Sequence, residues 1–262
     1  MNAVAEIWGE RRTLAALVGR ELRLRHAGSL GGLAWSVLVP LAQLLILTTV
    51  FSLVLRIRLS GIGSDVPFAI TLAWGFFPWL AFQDAVSRGT TVLVDQGTLL
   101  KRMGFSPAVL LAQPVLVAQV QLAVSLVLLL VLMPFLGVGF APGTPLLLVA
   151  MLATFLLSLG AVLLLGTLQV YFRDTSQIVG VSLQALFYLT PIVYAVDMAP
   201  ESLRFLLAAN PLSGVVGAYR AFALGMPVPF PALAWSFFCG LMLVMAGSWA
   251  LQRSRPEMAD LV

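Results

Sequence analysis

The stretch LQVYFRDTSQIVG, residues 168–180, sets Arg173 and Asp174 side by side between two long apolar runs. A charge at the centre of a bilayer costs about 2.5–3.5 kcal/mol on insertion scales, so the two residues mark either a buried functional pair or a turn at the water interface. Other residues that could do chemistry are few. A single cysteine, Cys239, excludes an intrachain disulfide and a cysteine metal cluster. The single histidine, His26, reads as an interfacial donor rather than a ligand. The chain contains no HExxH helix and no GxSxG nucleophile elbow. Its only lysine, Lys101, follows Leu99 and Leu100, where a phosphate-binding loop requires glycine directly before lysine. No catalytic residue, metal site or cofactor is therefore expected on this chain, and any ATP-driven motor must lie on another.

The elements that would position these residues follow from composition. Sixty per cent of the residues are hydrophobic and ten per cent are charged, so most of the chain is expected in lipid. Six apolar runs, at approximately 33–55, 66–87, 107–135, 145–170, 176–196 and 230–251, reach the length that crosses a hydrocarbon core of roughly 30 Å. Sustained alternation of the kind a membrane barrel needs is absent. The reading is an all-α integral membrane protein: one domain over 1–262, with six transmembrane helices in the region 33–251 and no internal repeat. Arg173 and Asp174 then separate two segments that each span, which makes them an interfacial turn.

Eleven of the fifteen basic residues fall on the side that holds both termini, the 88–106 loop and Arg173. Only Arg56, Arg58, Arg204 and Arg220 fall on the other, so the termini are expected in the cytoplasm. The first 30 residues have no apolar core ahead of a small-residue cleavage site, and the first span is expected to act as the anchor. The formal charge of +4 is explained by topology and anionic lipid without nucleic acid.

Ahead of the first span, Leu14, Leu17, Val18 and Leu22 recur at helical spacing against Arg12, Arg20, Arg23 and Arg25, which predicts a basic amphipathic interface helix within 11–30 on the inner membrane surface. In the 88–106 loop, Leu99, Leu100 and Met103 share one side of a short helix with Lys101 and Arg102, which suits a partner surface. Residues 197–229 are too polar to span and too apolar for a plain loop. Two short amphipathic helices broken at Asn210–Pro211 are expected there. Aromatic residues crowd the second span (Trp74, Phe76, Phe77, Trp79 and Phe82), and Phe187, Tyr188 and Tyr194 follow in the fifth. These rings either pack against neighbouring helices or supply a smooth wall on which sugar rings could stack.

Four stretches, LRHAGSLGGLAWSVLVP, GFFPWLAFQDAVSRG, LQVYFRDTSQIVGVSLQALFYLTPIVY and NPLSGVVGAYRAF, together resemble the membrane subunits of type-2 ATP-binding-cassette exporters. The likeness is to their polysaccharide branch, the Wzm-type O-antigen permeases, with capsule and teichoic-acid permeases as close relatives. The resemblance implies a homodimer in the bacterial inner membrane, paired with a Wzt-like nucleotide-binding subunit that carries ATP and Mg, and moving an undecaprenyl-diphosphate-linked glycan. It implies ATPase coupling by Gly97, Leu99, Leu100, Lys101, Arg102 and Met103, and by the turn Phe172, Arg173 and Asp174. It implies a translocation path along Trp74, Phe77, Trp79, Phe82, Tyr188 and Tyr194, and external re-entrant gate helices at about 198–226 with Pro191, Asn210, Pro211, Tyr219 and Arg220. Export of small molecules or drugs by a related permease is the alternative.

Overall fold

The computed structural model describes residues 3–25, 35–54, 68–98, 100, 106–135, 144–194 and 196–261. Every regular element among them is helical. Two short helices come first, α1 (Ala3–Gly9) and α2 (Arg11–Leu24). On α2, Leu14, Leu17 and Val18 are buried while Arg12, Arg20 and Arg23 are exposed. This apolar stripe, expected to lie on the membrane surface, packs against α5 (Pro107–Phe135). Burial against a helix removes the same apolar area from water, and it brings Arg25 within reach of polar partners in the bundle.

Helix α3 (Trp35–Thr48) contains Pro40 and continues as the wider π turns of Thr49–Val54. α4 (Phe68–Asp95), α5 and α6 (Thr144–Tyr171) form the centre with α10 (Phe230–Leu261). Between α6 and α10 in the chain come α7 (Thr175–Tyr188), α8 (Glu201–Ala209) and α9 (Pro211–Leu224). Among the described residues three segments, Pro107–Phe135, Pro145–Tyr171 and Phe230–Arg255, are long and apolar enough to cross a membrane, and Leu38–Ser52 is a shorter apolar helix. α4 matches their length, but Gln83, Asp84, Arg88 and Asp95 dilute its apolar character.

The fifth apolar run behaves differently from its expected 176–196 span. α7 has 14 residues, about 21 Å of helix. Pro191 has no N–H for the carbonyl four residues back and disfavours helix at Thr190, so the chain leaves the helix at Tyr188.

Small residues bring the central helices into backbone contact. A Cβ added at Gly247 would lie 2.9 Å from the Leu164 nitrogen, which joins α10 to α6; one at Gly166 would lie 2.8 Å from the Gly89 carbonyl oxygen, which joins α6 to α4. Close backbone approach of this kind suits helices in lipid, where the hydrophobic effect does not drive one helix onto another. Val127, Leu148, Met245 and Trp249 point outward and are more than half exposed, an arrangement suited to an apolar solvent.

Candidate gate, groove and coupling turn

The break after α7 is held by side chains from α9. Asn210 caps α9, with Oδ1 accepting from the Leu212 N–H at 2.9 Å and Pro211 following in the first turn. The Asn210 amide nitrogen also donates to the Leu189 carbonyl at 3.0 Å and to Thr190 Oγ1 at 2.8 Å. One side chain therefore starts one helix and satisfies the end of another. Arg220, nearly three turns further along α9, is 8% exposed. Its guanidinium donates to the Pro191 carbonyl at 2.8 Å, to the Ile192 carbonyl, and to the Thr71 carbonyl of α4 at 3.2 Å.

Gly75 leaves the space for this fork, since a Cβ there would lie 3.2 Å from Arg220 Nη2. Beside it, the buried Tyr219 hydroxyl shares a hydrogen bond with Thr154 of α6 at 3.3 Å. Pro191, Asn210, Pro211, Tyr219 and Arg220 thus form one cluster. Arg220, counted in the sequence as an external loop charge, is a buried donor to carbonyl dipoles. Thr71, Gly75, Thr154 and Thr190 complete the cluster and were missed by the motif reading. Only Thr190, polar and directly before Pro191, carries a local signal.

The aromatic residues divide. Trp74 is fully buried and meets Phe222 of α9 edge-on at 5.6 Å, and Phe77 and Phe82 are also buried. Trp79 contacts Phe82 at 6.0 Å and Phe187 at 5.7 Å, and Phe187 contacts Tyr188 at 5.2 Å. Tyr188 is 60% exposed, and its carbonyl accepts from the Tyr194 hydroxyl at 2.7 Å. Trp79, Phe187 and Tyr188 line a groove of about 520 Å³ between α3, α4 and α7. Trp74, Phe77, Phe82 and Tyr194 lie outside that lining.

Gln43 and Leu80 border this groove and also a second cavity of about 530 Å³, reached from α2 and α5. The second cavity is charged. Arg25 donates to Asp84 at 3.1 Å and to Gln121 at 2.9 Å, while Arg88 donates to the other Asp84 oxygen at 2.7 Å. A charged cavity and an aromatic groove therefore adjoin along α4.

The Phe172–Asp174 turn is exposed, and among the described residues Arg173 and Asp174 form no ion pair with each other or with another side chain. Gln169, buried in the last turns of α6, fixes the backbone from both sides. Its amide nitrogen donates to the Arg173 carbonyl at 3.0 Å, and its Oε1 accepts from the Ser176 N–H at 2.7 Å. Thr175 Oγ1 donates to the Phe172 carbonyl at 2.6 Å. The turn is rigid in its backbone and free in its charged side chains.

Of the other coupling residues, Gly97 is buried and Leu100 packs partly against the core, while Leu99, Lys101, Arg102 and Met103 lie outside the described residues, as does His26. Ser106, just beyond that segment, donates to Glu6 of α1 at 2.7 Å, and the same carboxylate accepts from Arg255 of α10.

Long helices with lipid-compatible faces and cavities that adjoin along one of them suit a membrane transport subunit. The chain belongs to the ABC-2 type transporter family, whose family model matches residues 12–224. Among similar proteins, the O-antigen export system permease protein RfbA of Myxococcus xanthus is 29% identical, covering 99% of this chain and 99% of that protein. Two proteins of the same name from Klebsiella pneumoniae are 22% and 23% identical, each covering 95% of this chain and 94% of its own length.

Proposed function

We propose that this chain is the permease subunit of an ATP-driven exporter that moves lipid-linked polysaccharide of the O-antigen type out of the bacterial cytoplasm. The observation that carries the reading is the aromatic groove adjoining a charged cavity, in a chain matched nearly end to end by O-antigen export permeases. Tyr188 offers an exposed ring, and ring faces hold sugars weakly enough for a polymer to slide. Trp79, buried like Trp74, Phe77 and Phe82, backs the groove behind that ring, with Tyr194 bracing the Tyr188 backbone.

In this reading the whole chain is one permease domain, with six spans formed by α3, α4, α5, α6, α7 and α10 and both termini in the cytoplasm. α8 and α9 form an external re-entrant gate, and α7 reaches full depth together with them. α8 supports that role because only Leu207 is buried on it, while Leu203, Phe205 and Leu206 are exposed. The permease works as a homodimer with a separate Wzt-like ATPase that holds ATP and Mg. Two elements take the push of that ATPase: the segment with Gly97, Leu99, Leu100, Lys101, Arg102 and Met103, and the turn of Phe172, Arg173 and Asp174.

Mass spectrometry of cells depleted of this chain tests the proposal. Undecaprenyl-diphosphate-linked glycan is expected to accumulate inside while surface glycan falls. Unchanged surface glycan would contradict it, and loss of small-molecule efflux instead would favour the alternative.

A further inference from the structure

Three glutamines open on the aromatic groove: Gln43 from α3, Gln83 from α4 and Gln184 from α7. All three are exposed. Gln83 accepts from the Trp79 indole N–H at 3.0 Å through Oε1, which leaves its amide nitrogen available. Among the described residues the Gln43 and Gln184 side chains make no hydrogen bond. An unsatisfied amide facing lipid is costly, so three amides from three helices on one concavity call for a ligand rich in hydroxyls or amides.

We infer that Gln43, Gln83 and Gln184 form a sugar-binding subsite in this groove, with the exposed ring of Tyr188 as its stacking surface; the inference rests on the polysaccharide reading above. An amide offers a donor and an acceptor side by side, as a vicinal diol does. Tyr188 supplies an exposed ring beside those amides, and the half-buried Phe187 and the buried Trp79 pack behind it. The groove's lining carries no charged side chain among the described residues, which suits a neutral, hydroxyl-rich chain and not an anionic headgroup. Neutral amides also let a ligand go, since no fixed charge holds it at one depth. An acyl chain would leave the Gln43 and Gln184 amides and the Gln83 amide nitrogen unpaired. The volume of about 520 Å³ falls in the range of about 300–1,000 Å³ usual for small-molecule sites.

Gly180 gives the test its handle, because it lines the groove and a Cβ there meets nothing within 4 Å. A benzophenone photo-crosslinker introduced in place of Gly180, in the full complex in exporting cells, is expected to yield on illumination an adduct that stains for carbohydrate with periodate. Gln43→Leu or Gln184→Leu in the same background is expected to cut that adduct and surface glycan on the order of five-fold, the loss of one hydrogen bond, at equal amounts of assembled permease. Gln184→Asn, which keeps the amide on a shorter stem, is expected to fall between wild type and Leu. Adducts only with a second copy of the chain or only with phospholipid would overturn the subsite, as would full adduct yield with both glutamines replaced. Depletion separates the two claims. If depletion leaves surface glycan intact, the polysaccharide reading fails; if depletion abolishes export but the crosslinker captures no carbohydrate, the subsite alone fails.

Discussion

Arg220 and Arg173 occupy opposite surroundings, and substitution should tell them apart. Arg220 satisfies carbonyls on α4 and on the break after α7 from a buried position. Arg220→Met is expected to lower stability by about 2–3 kcal/mol, because it strands buried acceptors, read as a lower melting temperature of the purified permease in detergent. Arg220→Lys should recover only part, since an ammonium cannot reproduce a planar fork across separate carbonyls. An unchanged melting temperature in both variants would remove Arg220 from this role.

Arg173 is exposed and unpaired among the described residues, so its substitution should leave folding alone. An exposed ion pair would be worth only about 0–1 kcal/mol in any case. Arg173→Lys is expected to insert and assemble normally yet to export poorly, measured as surface glycan per assembled complex, with Asp174→Asn behaving alike. Full export by Arg173→Lys would reduce the turn to a topogenic charge. The sequence placed these two residues in a turn between two apolar runs, where the structure has an exposed turn. It could not reveal that Arg220 is buried, since nothing local says that α9 lies against the carbonyls of Thr71, Pro191 and Ile192.

At the level of elements, apolar run length made the helices readable. The third run, 107–135, coincides with α5, because in lipid the backbone must pair within its own segment and the run continues as helix. Two features escaped that logic for stated reasons. α7 ends at Tyr188 because one proline interrupts an otherwise apolar run, and hydropathy averages over it. α2 turns its apolar stripe onto α5, and an amphipathic pattern cannot say whether lipid or protein receives it.

Helix pairing was equally hidden, since it depends on where glycines on separate helices meet. Gly166→Leu is expected to push α6 off α4 at the Gly89 carbonyl and to cost about 1–3 kcal/mol, seen as early unfolding and aggregation on size-exclusion chromatography. The same change at Gly180, where nothing lies within 4 Å, should leave the elution profile unaltered. Equal profiles for both variants would mean that the α4–α6 contact does not limit stability.

For the whole molecule, the aromatic crowding in the second and fifth runs was visible, but its division into core and wall was not. Trp74 and Trp79 are five residues apart on α4, so they face different neighbours: Trp74 meets Phe222 of α9, and Trp79 meets Phe187 of α7. Only the assembled helices make that distinction, and only they bring Gln43, Gln83 and Gln184 onto one groove. Gln83 and Gln184 lie within family-like stretches, but nothing in the chain joins the three glutamines, which are separated by 40 and 101 positions.

In the proposed function this chain supplies the path and a separate subunit supplies the energy. Vesicles reconstituted with this chain, its ATPase partner and lipid-linked glycan test it most directly, with translocation read as loss of glycan from the loading face to the protected one. ATP-dependent transfer is expected when both subunits are present, and neither transfer nor ATP hydrolysis by this chain alone. Hydrolysis by the complete complex with the glycan remaining on the loading face, or turnover of ATP by this chain in a preparation free of other ATPases, would contradict it.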